Sequence, residues 1–267
     1  MTNTTDDRPE GATATPFDDG EMYDAVLGDI EFDRGFYLDL ARRAGGPVLE
    51  VACGTGRILL PCLAAGADVE GVDLFPAMLE RLRAKAAALG LAPRLHVGDM
   101  RDFRLRRRYA LLFCAFNGFV HCLTAEDQLR ALRTWRRHLR PGGCAVFNVF
   151  YPGREVLGGP EGTPVLELET RHPVTGRTIR MLDTRTLDRV AQVQHSEIEI
   201  QELDGLGNVV ASHRSATDMR WTFKPEMELL LRAAGFPRFE IFGGFDLRPL
   251  ERDDDQIVVF AYRDGTA

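Results

Sequence analysis

The chain predicts an α/β protein: a doubly wound, mostly parallel sheet with a smaller antiparallel sheet inserted late. Three observations carry this. Short apolar strands alternate with amphipathic helices from about residue 34 to 150, punctuated by Gly and Pro. The run 109–116 is almost continuously apolar, as a strand buried on both faces must be. After Tyr151 the helical spacing gives way to alternation, as in 192–203, where Val193, Ile198 and Ile200 stand among polar neighbours before the turn Asp204-Gly-Leu-Gly-Asn208.

The elements follow in order. Residues 1–20 are polar and read as a disordered segment. Phe36, Tyr37, Leu40, Ala41 and Ala44 share one helical face that ends at Gly45-Gly46. The strand 47–51 leads into the turn Ala52-Cys-Gly-Thr-Gly56, then a helix from about Arg57 to Ala65. A second strand, 68–72, ends on Asp73, and Pro76 suits a first helical position because its missing N–H costs nothing there. Strands follow at 94–97 and 109–116, and Thr124 with Asp127 marks a helix start. That helix breaks at Pro141-Gly-Gly143 before a fifth strand, 144–150. Pro225 opens a last helix, and strands 238–242 and 256–262 close the chain. The expected organisation is therefore an α/β core at 21–150, a β-rich insertion at 151–223, and completion of the core at 224–267.

The length of 267 residues suits one large domain carrying an insertion. Forty acidic against 33 basic side chains give a net charge of −7, which argues against a protein that binds nucleic-acid phosphates. Cys53, Cys62, Cys114, Cys122 and Cys144 include no C-x-x-C pair and read as reduced core thiols. No apolar run reaches the roughly 20 residues that span a bilayer, so the expectation is a soluble, cytoplasmic protein without membrane or nucleic-acid partners.

The chemistry concentrates at strand ends. Gly54 and Gly56 permit close backbone approach to a ligand, and the helix behind them favours negative charge. A dinucleotide fingerprint wants a small residue at position 59, where this chain has Leu59. Glu50, beside the turn, repels a pyrophosphate but suits a cationic ligand. Asp73 sits where an acid accepts ribose hydroxyls, or else caps the next helix. Asp99 can accept the amine of adenine, with Met100 against the ring, or else serve a plain turn. Acids at the ends of three successive strands beside one glycine turn point to a nucleoside carrying positive charge.

Val48-Leu-Glu-Val-Ala-Cys-Gly-Thr-Gly56, Gly71-Val-Asp73, Gly98-Asp-Met100 and Leu139-Arg-Pro-Gly-Gly143 resemble, in order and spacing, the motifs of class I S-adenosylmethionine (SAM)-dependent methyltransferases. The resemblance implies a Rossmann-like seven-stranded sheet with an antiparallel C-terminal strand, SAM as cofactor, and methyl transfer to a small-molecule acceptor through N or O. It places Glu50, Ala52, Gly54 and Gly56 around the methionine part of SAM, Asp73 at the ribose, Asp99 and Met100 at the adenine, Phe116 along the pocket, and Leu74 and Met78 among the cofactor-binding residues. Ala52 departs from the glycine more usual there. Tyr23 lies in a segment that folds over the cofactor in related enzymes. The insertion is similar to that of bacterial small-molecule enzymes, including aminosugar N-methyltransferases, and implies a lid or a homodimer surface. His121, after the fourth strand, is the candidate general base; the alternative is a histidine bonded to backbone. Arg104, Arg106, Arg107 and Arg108 read as a solvated loop, and no metal site is arguable. Two other functions compete: a nicotinamide-dependent oxidoreductase, disfavoured by Leu59 and Glu50, and a SAM-binding module without turnover.

Overall fold

The computed structural model describes residues 14–253 and 255–264. Residues 1–13 of the expected disordered segment lie outside that range, whereas 14–20 are built into the fold. Pro16–Asp18 forms a 3-10 turn and Asp19 then caps α1 (Gly20–Leu27), its carboxylate accepting from the Glu21 and Met22 N–H groups at 3.0 Å. This short helix has no long apolar stripe to announce it; the cap and its tertiary contacts hold it.

Behind it come α2 (Arg34–Arg43), β1 (Val48–Val51), α3 (Leu59–Ala64), β2 (Val69–Asp73), α4 (Pro76–Ala88), β3 (Arg94–Val97) and β4 (Tyr109–Cys114). A 3-10 turn, Gly118–His121, leads to α5 (Ala125–His138) and β5 (Leu139–Phe150). Helix α5 ends earlier than the Pro-Gly-Gly signal suggested: Leu139 is already extended, with ψ at 148°. The order across the main sheet is β10-β11-β5-β4-β1-β2-β3, with β10 (Arg238–Phe242) and β11 (Gln256–Tyr262) entering after α7 (Lys224–Ala233). Strands β1 to β5 pair in parallel, and β11 runs antiparallel between β5 and β10. Strands β1, β2 and β4 are buried at every position because helices cover both faces, which accounts for the unbroken apolar run of β4. One core cluster centres on Trp135, Phe119 and Phe147 and the other on Tyr37, Leu59 and Phe113.

Within the segment 151–223, a short helix α6 (Arg154–Leu157) precedes a separate antiparallel sheet, β6 (Val165–Arg171), β7 (Thr178–Asp188), β8 (Val193–Leu203) and β9 (Val209–Arg220), in sequential order. One face rests on α1, where Ala25 and Val26 pack against Ile179 and Ile200. Among the described residues no helix is long and apolar enough to cross a membrane.

Candidate active site

The strand order of the parallel sheet reverses between β1 and β4, and there the chain leaves the two strands on opposite sides, opening a crevice at their carboxyl ends. Glu50 and Asp73 stand on the neighbouring strands β1 and β2, while Asp99 follows β3. The glycine turn fits between them because Gly56 takes φ +83° and a β-carbon on it would lie 2.7 Å from Leu82 Cγ. Ala52 also adopts the left-handed region, φ +55°, which gives a physical reason for glycine at this position.

The Asp73 carboxylate is only 6% exposed and accepts from Gly54 N at 2.7 Å and Phe75 N at 2.9 Å. It therefore ties the glycine turn to the end of β2. Phe75, not Asp73, occupies the cap position of α4. Burial raises its pKa above the usual carboxylate range against those N–H groups. Glu50 is 3% exposed and its Oε2 has no hydrogen-bond partner. Burial, opposed by Arg57 and reinforced by Asp33 and Asp73, pushes its pKa well above the normal value. A buried carboxylate oxygen without a donor is costly, so this atom calls for a ligand N–H.

The other expected residues are distributed as follows. Asp99 is claimed by Arg101, which reaches Oδ1 from Nε at 2.9 Å and Oδ2 from Nη2 at 2.5 Å; burial alone raises the Asp99 pKa, but Arg101 holds it below the usual range. Met100 packs against the core and its carbonyl accepts from Trp135 Nε1 at 3.1 Å. Leu74 stands 49% exposed beside Asp73, whereas Met78 is 1% exposed on the inner face of α4. Phe116, at φ +52°, lies under the Arg57 guanidinium at 4.7 Å. Tyr23 joins a ring cluster with Phe17, at 6.0 Å, and Phe17 reaches Phe75 at 5.1 Å.

His121 ends the turn after β4, with the Phe17 ring edge-on at 5.2 Å. Its Nδ1 lies 3.1 Å from the backbone oxygen of Asp218 on β9, the free edge of the inserted sheet. A carbonyl only accepts, so Nδ1 carries the proton and Nε2 keeps a lone pair. Burial lowers the imidazolium pKa, against the Asp218 carbonyl, and the ring is neutral near pH 7. The two readings of this histidine are thus compatible: the backbone bond sets the tautomer a base needs.

Several site residues escaped the sequence. Asp24 on α1 accepts from Thr55 Oγ1 at 2.5 Å, Arg81 Nε at 2.8 Å and Lys85 Nζ at 2.9 Å, fastening α1 to the glycine turn and α4. Asp33, fully buried, accepts from Arg57 Nη2 at 2.8 Å. Asn148 donates to Asn117 at 2.9 Å and accepts from Tyr37 OH at 2.8 Å, fixing the end of β4. Only Arg57, directly behind the glycine turn, gave a positional hint. Within the basic run, Arg107 pairs with Asp68 and Glu70 on β2.

The donor set fits SAM. Glu50 offers an unfilled acceptor for its ammonium, Asp73 retains lone pairs for ribose hydroxyls, and the rings of Tyr23 and Phe116 suit a cationic centre. This sheet order with an acid-flanked glycine turn defines a SAM-dependent methyltransferase. Residues 48–143 match the methyltransferase domain family. The dTDP-3-amino-3,6-dideoxy-alpha-D-glucopyranose N,N-dimethyltransferase of Streptomyces fradiae is 35% identical over 58% of this chain and 67% of its own. The dTDP-4-amino-2,3,4,6-tetradeoxy-D-glucose N,N-dimethyltransferase of Saccharopolyspora spinosa is 29% identical, covering 76% of this chain and 86% of its own. The CcbJ methyltransferase structure from Streptomyces caelestis superposes with a TM-score of 0.75 at 26% identity, over 92% of this chain and 97% of that one. The chain belongs to the SAM-dependent methyltransferase family and is an enzyme of the small-molecule type. The oxidoreductase and turnover-free alternatives fall away.

Proposed function

We propose that this enzyme N-methylates an amino sugar, with His121 as the general base. The observation that carries the reading is the neutral imidazole at the exit of β4, its tautomer fixed by the Asp218 carbonyl so that Nε2 is the basic atom. The activities named for the Streptomyces and Saccharopolyspora relatives support an amine on a nucleotide-linked sugar as the acceptor.

When bound, SAM supplies a methyl group on a sulfonium, which the acceptor lone pair takes as the sulfide departs. Glu50 holds the ammonium of the methionine part and Asp73 the ribose hydroxyls, with Leu74 beside them. Asp99 and Met100 border the adenine, which requires Arg101 to yield one carboxylate oxygen. Ala52, Gly54 and Gly56 form the floor, and Tyr23 and Phe116 wall the transfer centre. Met78 supports α4 from inside. An amino sugar arrives largely protonated, and a proton taken by His121 Nε2 leaves the lone pair that reacts. Residues 151–223 act as a substrate lid or as the surface of a homodimer. A small acceptor, with neither nucleic acid nor membrane as partner, accords with the net charge of −7. Five unpaired cysteines support a cytoplasmic setting.

The test is to incubate the protein with SAM and dTDP-3-amino-3,6-dideoxy-α-D-glucopyranose and follow the sugar by mass spectrometry. Addition of one or two methyl groups on nitrogen is expected. Methylation of hydroxylic acceptors with no amine in a broad panel accepted would reject the reading.

A further inference from the structure

The inner face of the inserted sheet is pinned at two places. Ile179 and Ile200 rest on α1, and Met219 packs on the core cluster that contains Phe119 and Val120. The stretch between these anchors runs from β9, whose Asp218 carbonyl bonds His121, across to the strands seated on α1. Apolar packing is expected there, yet the face is polar. Cross-strand pairing aligns Ser196 with Arg185 and Thr217, and Asp183 with Ile198, on the side that carries Ile200.

Asp183 is 7% exposed. Its Oδ2 meets Arg185 Nη2 at 3.0 Å and accepts from Ser196 Oγ at 3.3 Å, while Gln194 Nε2 donates to that hydroxyl oxygen at 2.9 Å. Glu167 pairs with the same Nη2 of Arg185. Two atoms of this network remain without partners: Asp183 Oδ1, an acceptor, and Arg185 Nε, a donor. Ion-pair geometry has been satisfied on one side of each group and left open on the other. A vacant acceptor and a vacant donor on adjoining side chains match a hydroxyl, which donates to one and accepts from the other.

We infer that Asp183 and Arg185 form an acceptor-recognition subsite in the lid, taking a ring hydroxyl of the sugar whose amine lies below at His121. This deepens the reading above and rests on it. It gives the insertion a chemical role beyond covering the cleft: it selects hydroxylated amines over bare ones.

The experiment is calorimetric binding of dTDP-3-amino-3,6-dideoxy-α-D-glucopyranose to the protein saturated with S-adenosylhomocysteine, so that binding is read independently of turnover. In Asp183→Asn, Arg185 and Ser196 retain the amide oxygen and the NH2 takes the place of Oδ1, replacing an acceptor with a donor at constant shape. The sugar Kd should rise tenfold or more while S-adenosylhomocysteine affinity and the unfolding midpoint stay as in the wild type. Arg185→Lys keeps the charge between Asp183 and Glu167 but deletes Nε, and should weaken the sugar several-fold. Unchanged sugar affinity in both variants overturns the subsite, as does loss of S-adenosylhomocysteine affinity in parallel, which marks a purely structural role. A wild type that binds the sugar without methylating it rejects the amine reading while the subsite stands; no binding at all rejects the subsite.

Discussion

The α/β core and the inserted sheet are both built from hydrogen-bonded strands, but they manage polar groups in opposite ways. In the core, Asp73 at the end of β2 is held by the Gly54 and Phe75 N–H groups, and Asp33, at the start of α2, by the Arg57 guanidinium. In the insertion, ion pairs such as Arg180–Glu169 lie across exposed strands, and polar groups are buried in two places, around Asp183 and around Arg220, which meets Gln128 and Glu226. In the proposal, core polar groups serve the cofactor, while insertion polar groups either solubilise a surface or address the acceptor. His121 belongs to both regions, since a core turn presents it and an insertion strand orients it.

The sharpest test of that shared role is His121→Ala, expected to lower kcat by about 10²- to 10⁴-fold, the usual worth of a positioned base, with SAM affinity retained. The wild-type kcat/KM should fall as pH drops, because protonation removes the base. Since burial lowers the pKa, the fall lies on the acid side of an ordinary histidine, and it should vanish in the alanine variant. Asp33→Ala leaves Arg57 buried without its partner and should cost about 3–5 kcal/mol of unfolding free energy by denaturant titration. Asp73→Ala removes the acceptor for two backbone donors and, in the proposal, two ribose hydroxyls; SAM Kd should rise by about 10²-fold, from charge-assisted bonds worth about 1.5–3 kcal/mol each. Gly118→Ala places a methyl 2.8 Å from Cys114 Sγ and 3.3 Å from Ala52 Cβ, and should cost about 1–3 kcal/mol as overpacking. At the far end of the scale, Arg180→Ala should shift stability by less than about 1 kcal/mol, as exposed ion pairs do. A large loss there would break the contrast between the two regions.

The core was legible because its signals are local. The glycine turn, the acids at strand ends and the helix stops each occupy a few consecutive residues, and a parallel sheet buried on both faces writes itself as apolar runs. Helix α1 was missed because a short helix opened by glycine and held by Asp24 to Thr55, Arg81 and Lys85 depends on partners far along the chain. Asp33 had no signal for the same reason: its role exists only once Arg57 arrives beside it. Asp99 and Met100 follow β3 in the chain, but the Arg101 clamp and the contact of Met100 with Cys122 Sγ at 3.5 Å depend on the loop's conformation.

By itself the sequence determined the strand alternation, the turn that admits a nucleoside and the acids that surround it, because these follow from hydrogen bonding and periodicity within short windows. Tertiary structure alone decided which nitrogen of His121 bears the proton, which helix closes on the glycine turn and which face of the insertion rests on α1. Each of those depends on groups tens of residues apart, such as His121 and Asp218, meeting at bonding distance, and no local pattern encodes such a meeting.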